Sequence, residues 1–369
     1  HFMGETGRFE IAGELFLSQA RQSKQEGEEH NTAIALQNAA IVLNRLGRAE
    51  ESASLLQEAE AIWRRLGYVR GLQAALGNRA AILREQGNPR EAKRILVEQE
   101  GLLRQLGDRP GLARNLNNQA LIRKDEGDLD GALELFRQSE RSCRELGDLD
   151  NLHASLGNQA TLYLLRDDLE TALELLQRLE ESCRESADRV GLSSSLCNQA
   201  IVARRKGDLD ESWCLLEEHE RICREIGLQA GIALNLGNKA HILRIRRQYD
   251  QALDMYRQVE QLSRRLGQPL GVQLALGNQA LVHEDQMDLE EALRARQEQE
   301  SICRQLGNPH ELALCLMKEA ELLAVPMGRP QEANPLIEEA ERLARQLGLD
   351  SLIEQVEKVQ LHVRMASMY

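Results

Sequence analysis

Seven asparagines stand at a strict interval of 40 residues: Asn38, Asn78, Asn118, Asn158, Asn198, Asn238 and Asn278. A carboxamide carries both a donor and an acceptor, so such a row can pair with the N–H and C=O groups of an extended peptide whatever its side chains. Packed helices sit about 10 Å apart, which matches about three residues of extended chain at ~3.3 Å each. The row could therefore follow a ligand of very roughly 18 residues. A second reading is that each asparagine bonds to the adjacent repeat and stabilises stacking. Asparagine costs several tenths of a kcal/mol against alanine inside a helix, so the recurrence requires one reason or the other. The preceding residue is often glycine (Gly77, Gly157, Gly237, Gly277), at a further ~1 kcal/mol each. Close helix packing and room for a peptide backbone both account for it.

Other candidate chemistry is thin. There is no Walker-type phosphate loop and no G-x-G-x-x-G turn. His310-Glu311-Leu312-Ala313-Leu314 fails as a zinc-binding helix because position 314 is not histidine. Cys143, Cys183, Cys223 and Cys303 share one column. Copies of a column about 10 Å apart are too distant for a disulfide or a shared metal, so these thiols read as small core residues. The histidines form no continuous column. No catalytic residue, metal ligand or cofactor is expected.

Composition narrows the choice further. Of 369 residues 42% are apolar but only 3% aromatic, so the core must be Leu, Ala, Ile and Val. That diet suits helix-on-helix packing better than sheets, which favour aromatic and β-branched residues. The 46 Lys and Arg against 59 Asp and Glu leave a net charge of -13, which argues against nucleic acid and anionic membranes as partners. The longest apolar runs, such as Leu312 to Met317, fall far short of the roughly 20 residues of a membrane span. Seven cysteines, an odd number without a C-x-x-C pair, point to free thiols and a reducing, cytoplasmic setting. No secretory signal opens the chain, and His1-Phe2-Met3 reads as a non-native remnant, so the natural termini are expected to lie elsewhere.

What must position these residues is a repeat. Leu76-Gly77-Asn78-Arg79-Ala80 returns as Leu116-Asn117-Asn118-Gln119-Ala120, then Leu156-Gly157-Asn158-Gln159-Ala160, and onward to Leu276-Gly277-Asn278-Gln279-Ala280. Leu36-Gln37-Asn38-Ala39-Ala40 is an earlier copy and Leu316-Met317-Lys318-Glu319-Ala320 a decayed one. A fixed period of this length signals a solenoid rather than separate domains. Each period reads as two helices. Leu112, Leu116 and Ala120 lie on one face of the first, which stops near Gly127. Asp128 caps the second, whose buried stripe is Leu129, Ala132, Leu133 and Phe136 and which ends at Leu146-Gly147. Asp208 with Glu211 and Asp288 with Glu291 read as capping boxes. Asn88-Pro89 and Asn308-Pro309 pair a cap with proline at the first helical position.

Antiparallel helix pairs with Leu, Ala, Gly and Ala in these places resemble the tetratricopeptide repeat (TPR), in the 40-residue form found in Pins-like polarity proteins, kinesin light chains and several bacterial signalling proteins. The resemblance covers roughly residues 7 to 350. It implies an all-α, right-handed superhelical solenoid of about eight two-helix repeats, with first helices lining a concave surface. Residues 1–6 read as a cloning or linker remnant, 7–350 as the solenoid (a half repeat at 7–30, then full repeats from 31), and 351–369 as a capping helix. Residues 7–27 match only a second helix, Gly7-Arg8 beside Gly47-Arg48. The last repeat gains a residue near Val325-Pro326-Met327 and holds Pro335 inside its second helix.

In related arrays an asparagine ladder clamps peptide backbones, and the resemblance implies that role here. Along the same edge stand Arg84, Lys124, Arg204, Arg205 and Arg244. They would steer an acidic, amphipathic peptide. Glu60, Glu100, Glu140, Glu180, Glu220, Glu260, Glu300 and Glu341 each precede an arginine by four residues. That is the favourable helical orientation, read as architectural. The expected function is a non-enzymatic interaction scaffold holding an extended, disordered protein or peptide segment. The second expectation is a ligand-sensing regulatory domain of a larger signalling protein. A monomer is expected, with self-association through the array ends as the other outcome.

Overall fold

Apolar residues at three- and four-residue spacing, interrupted every half-repeat by a turn signal, can bury themselves only as short paired helices. The computed structural model describes residues 3–46, 48–307, 309–348 and 350–366, and those residues form helices and turns with no strand. The chain divides into two compact units, the first running to Asp208 and the second starting at Leu209. Unit 1 begins with α1 (Met3–Gln25), α2 (Glu29–Arg45), α3 (Ala49–Leu66), α4 (Val69–Glu85) and α5 (Pro89–Leu106). It continues with α6 (Arg109–Asp125), α7 (Leu129–Leu146), α8 (Leu149–Leu165), α9 (Leu169–Glu185) and α10 (Arg189–Lys206). Unit 2 holds α11 (Leu209–Glu225), α12 (Gln229–Ile245), α13 (Tyr249–Arg265), α14 (Pro269–Asp285), α15 (Leu289–Leu306), α16 (Pro309–Ala324), α17 (Pro330–Leu347) and α18 (Asp350–Ala366).

Each helix packs on the next in sequence within its unit, and in unit 1 α2, α4, α6, α8 and α10 also touch one another in order. The even-numbered helices of unit 1 therefore form a layer of their own. The core is aliphatic with a few large anchors: Trp63 and Phe136 in unit 1 and Tyr256 in unit 2 are all at most 1% exposed. α1 begins at Met3, inside the segment read as a cloning or linker remnant, and α18 buries Leu352, Val356, Val359 and Val363 against its neighbours. Pro335 sits within the first two turns of α17, where it removes a single backbone bond.

Local chemistry sets the boundaries. Asp108, Asp128, Asp148, Asp168 and Asp188 each accept the backbone N–H three residues on, at 2.9–3.2 Å. Asn88 does the same for Glu91. Asp288 departs from the expected capping box: it makes no cap bond, and its carboxylate faces His283 Nδ1 at 3.7 Å instead. Asn308 and Gly47 lie outside the described residues. The turn after each helix needs a left-handed residue, supplied by Gly147 at φ 67° and by non-glycines at Asp167, Ala187, Arg247 and Met287.

The recurrent glutamates turn out to join repeats. In six of them, Oε1 takes the arginine one turn along its own helix and Oε2 takes the residue 19 positions on, in the next even-numbered helix, which in all but the last follows the asparagine. Glu140 accepts from Arg144 at 3.0 Å and from Gln159 at 2.7 Å. Glu100 does so with Arg104 and Gln119, Glu180 with Arg184 and Gln199, and Glu220 with Arg224 and Lys239. Glu260 with Arg264 and Gln279, and Glu341 with Arg345 and Gln360, continue the pattern. Burial pushes the carboxyls of Glu140 and Glu220 up, but the bonds from both sides outweigh it and hold them below the ordinary value. Glu60 is the exception: Arg64 pairs with Glu98, Arg79 lies 2.8 Å away outside hydrogen-bond geometry, and burial leaves this carboxyl raised.

At the decayed copy the partner is itself an acid. Glu319, 3% exposed, faces Glu300, whose other side holds Arg304. Burial first, then the Glu300 charge and a shared hydrogen bond, push Glu319 up to about 7. A raised carboxyl means the folded state holds the proton more tightly. The associated stability is full below the unfolded pKa near 4.5 and is lost as the pH rises through about 7. Glu319→Gln restores the residue found at 119, 159, 199 and 279. It should stabilise the protein on the order of 1–3 kcal/mol at pH 8 and change little at pH 5; denaturant midpoints at the two pH values check this, and equal effects at both would refute the shared proton. Ala187→Gly should add about 0.5–1 kcal/mol by removing left-handed strain, read as a higher thermal midpoint.

Candidate functional site

The clasp fixes how each even-numbered helix is rotated. Adjacent residues differ by about 100° around a helix, so burying Gln119 or Gln159 against the preceding glutamate turns Asn118 or Asn158 towards the open side. All seven asparagines are half-buried. In unit 1 they belong to α2, α4, α6, α8 and α10, and in unit 2 to α12 and α14. Asn158 donates to Asn117 Oδ1 of the preceding repeat at 3.2 Å. Asn238 also has an interaction within the protein. Among the described residues, Asn38, Asn78, Asn118, Asn198 and Asn278 make no side-chain hydrogen bond.

Apolar side chains flank the row. Three positions after the asparagine come Ile41, Leu121, Ile201 and Leu281, half-buried or exposed. Four positions before it, Ile34, Leu234 and Leu274 are 41%, 55% and 53% exposed. This second flank escaped the sequence reading, although a four-residue step back from each asparagine would have found it. The glycines before the asparagines differ in purpose. A Cβ at Gly77 would meet Gln99 Nε2 at 2.5 Å and one at Gly277 would meet Gln299 at 2.7 Å, so those two permit close packing. At Gly157 the nearest contact is an ordinary 3.6 Å and at Gly237 there is open space.

The basic edge does not stand free. Arg84 pairs with Asp125 at 3.2 Å, Lys124 with the same carboxylate group at 3.5 Å, and Arg244 with Asp285 at 2.6 Å. Arg205 donates to the Leu164 carbonyl at 2.5 Å and lies 3.7 Å from Asp167, and Arg204 also has a partner inside the protein. Most of these contacts link position n to n+41, as does Asn44 with Glu85 at 3.3 Å. Arg84 and Arg244 each sit beside an acid of the next repeat, Lys124 pairs with its own neighbour Asp125, and Arg205 reaches back to the preceding repeat, so the edge is largely charge-balanced from within. The acids at n+41 from Arg84 and Arg244 were visible in the sequence.

The cysteine column is buried as expected, with Cys143, Cys183, Cys223 and Cys303 at most 1% exposed. Partners come from outside the column. Cys303 Sγ lies 2.7 Å from Cys315 Sγ, and both are free thiols. Cys183 meets His153 and Asp188: His153 Nδ1 is 2.8 Å from Asp188 Oδ2 and 3.5 Å from Cys183 Sγ. His153 is the residue that sequence reasoning missed, since its column otherwise holds Ala33, Gln73, Ala113, Ser193, Ala233, Gln273 and Ala313. The trio is not a nucleophile relay. Thiol and carboxylate meet the same ring nitrogen, where a relay needs opposite ones. Burial, then the Asp188 charge, also push the thiol up to about 12.

No helix among the described residues is long and apolar enough to cross a membrane. Residues 71–145 match the family model of the tetratricopeptide repeat. No curated protein sequence matches the chain. Among solved structures, a Rap protein complexed with Competence and Sporulation Factor is similar at 15% identity, with 96% of this chain and 99% of that one covered and a TM-score of 0.63. A Signal Transduction ATPase with Numerous Domains from Pyrococcus horikoshii, which has a tetratricopeptide repeat sensor, is similar at 13% identity, covering 94% of this chain and 55% of that one, TM-score 0.51. The apo form of the quorum sensor NprR from B. thuringiensis is similar at 18% identity, covering 88% and 98%, TM-score 0.50. At these identities the likeness shows the fold. With the family match over residues 71–145 and helix pairs recurring along the chain, the fold is an all-α solenoid of tetratricopeptide-type repeats.

Proposed function

We propose that unit 1 is a non-catalytic binding module, working in a reducing compartment, that holds an extended, disordered peptide segment across α2, α4, α6, α8 and α10. The observation that carries this is the unpartnered, half-buried state of Asn38, Asn78, Asn118 and Asn198 among the described residues. A packing role would give each carboxamide a partner in an adjacent repeat, as Asn158 has in Asn117, and these four make no side-chain hydrogen bond. Partly desolvated amides that keep free donors and acceptors are suited to a peptide backbone, which presents both. Ile41, Leu121 and Ile201 offer apolar contact beside them. The balanced edge selects against a strongly charged ligand and favours recognition by backbone and apolar side chains.

A sensing role is the second reading. The Rap complex with its factor, the quorum sensor NprR and the sensor-bearing ATPase share this fold. Unit 2 also has its own cavity of about 600 Å³, lined by Leu281, Leu322, Val325, Pro326 and Met365, with the Glu284–Arg296 pair on its wall. In that reading, occupancy by a peptide or small ligand is relayed to a larger signalling protein.

Peptides selected on the wild-type chain from a random display library supply the probe. The double substitution Asn118→Ala and Asn198→Ala should weaken them by roughly 1–3 kcal/mol, about 5- to 150-fold. Affinities unchanged by it would remove the row from the site. Thermal stability of the same variant should hold or rise by several tenths of a kcal/mol, because no hydrogen bond is lost and alanine is the better helix former; a sharp drop in melting temperature would return the asparagines to packing. Affinity should also vary little between low and moderate salt, and a steep salt dependence would reinstate electrostatic steering.

A further inference from the structure

We propose that His153, Cys183 and Asp188 form a binding site for Zn(II), with Nδ1, Sγ and Oδ2 as ligands and solvent in the fourth position. Among the described residues, this is the one group of three or more His, Cys, Asp or Glu side chains whose donor atoms converge, all within 4.8 Å of one another. A tetrahedral zinc with bonds of 2.0–2.3 Å sets its ligand atoms about 3.3–3.7 Å apart. Sγ–Nδ1 at 3.5 Å and Sγ–Oδ2 at 3.8 Å fit that triangle already. Only Nδ1–Oδ2 is short, at 2.8 Å, because a hydrogen bond occupies it.

The surroundings orient each ligand. His153 Nε2 lies 2.8 Å from Ser182 Oγ, which fixes the ring plane. A hydroxyl donates or accepts, so the ring proton can move to Nε2 and leave the Nδ1 lone pair for the ion. Asp188 uses Oδ1 to cap α10 through the Gly191 N–H at 2.9 Å, which leaves Oδ2 for the site. Gly191 keeps the space open, since a Cβ there would collide with Oδ2 and Sγ. His153 and Cys183 are 5% and 1% exposed, while the Asp188 side chain is 27% exposed and marks the way in. Binding replaces the thiol proton, released to solvent, by a cation–thiolate bond. Thiolate with imidazole and one carboxylate suits a borderline ion better than calcium or magnesium.

The preceding repeat is an internal control. It has Cys143 and Asp148 in the same places but Ala113 in place of the histidine, and Asp148 Oδ2 is taken by Asn151 Nδ2 at 2.6 Å. His153→Ala therefore copies a set of residues this chain already folds around. The ion would tie α8, α9 and the start of α10 together, two successive repeats of unit 1.

Chelator-stripped protein is titrated with Co(II) as the optical probe and then with Zn(II). A thiolate-to-cobalt charge-transfer band that saturates at one ion per chain and is bleached by Zn(II) is expected, together with a Zn(II)-dependent rise in melting temperature. His153→Ala should weaken the band's midpoint by at least about 10-fold and Cys183→Ala should abolish the band, with helical circular dichroism unchanged in both. Absence of a saturable band, or a band that persists in both variants and so belongs to thiols such as Cys303 and Cys315, overturns the site.

Discussion

A half-buried carboxylate that serves two helices at once is the interaction on which this array depends. Each glutamate of the 100–140–180 column is drawn out of water far enough to need partners, and it receives two: an arginine from its own helix and an amide or amine from the next repeat. An isolated surface pair of this kind contributes little. Here burial of the acceptor and the cross-repeat donor raise the stakes, because removing either partner leaves a poorly solvated charge. The pairing also fixes rotation. With Gln119, Gln159, Gln199 or Lys239 committed to the glutamate, the asparagine one residue earlier has a single place to go, the exposed side of the even-numbered layer.

Function in this reading follows from what the clasp leaves over. Most repeats satisfy their glutamates, helix caps and basic edge internally, while the carboxamides of Asn38, Asn78, Asn118 and Asn198 make no side-chain hydrogen bond among the described residues. A free donor and acceptor on a rigid helix is already ordered before a ligand arrives, which lowers the entropy that binding must overcome. The charge balance of the edge, Arg84 with Asp125 and Arg244 with Asp285, leaves backbone geometry and apolar contact as the means of discrimination.

Departures from the column are where individual chemistry arises. Glutamate at 319, where other repeats carry a neutral or basic partner, brings two acids together. Histidine at 153, where other repeats carry Ala, Ser or Gln, brings an imidazole to a thiol and a carboxylate. Cys315, outside the cysteine column, places a thiol against Cys303. A repeat protein tolerates such changes one at a time because each unit contacts only its neighbours.

The period, the two-helix unit, the caps at Asn88 and Asp128 and the asparagine row were legible in the sequence, because local propensity and a helical apolar pattern repeat without ambiguity. A column of residues at fixed spacing is a one-dimensional fact. What it could not show is which columns meet. Pairing between Glu140 and Gln159, between Arg84 and Asp125, and among His153, Cys183 and Asp188 joins residues whose sequence separations of 19, 41 and 35 follow from how helices stack. The glutamate–arginine spacing was read as an exposed helical pair, and packing made it a joint between repeats. The basic residues were read as steering an acidic ligand, and packing gives Arg84 and Arg244 acid partners in the next repeat. Sequence determined which groups recur; only the tertiary structure decided which of them are already satisfied by a neighbour and which are left without a partner, because that depends on how the helices stack.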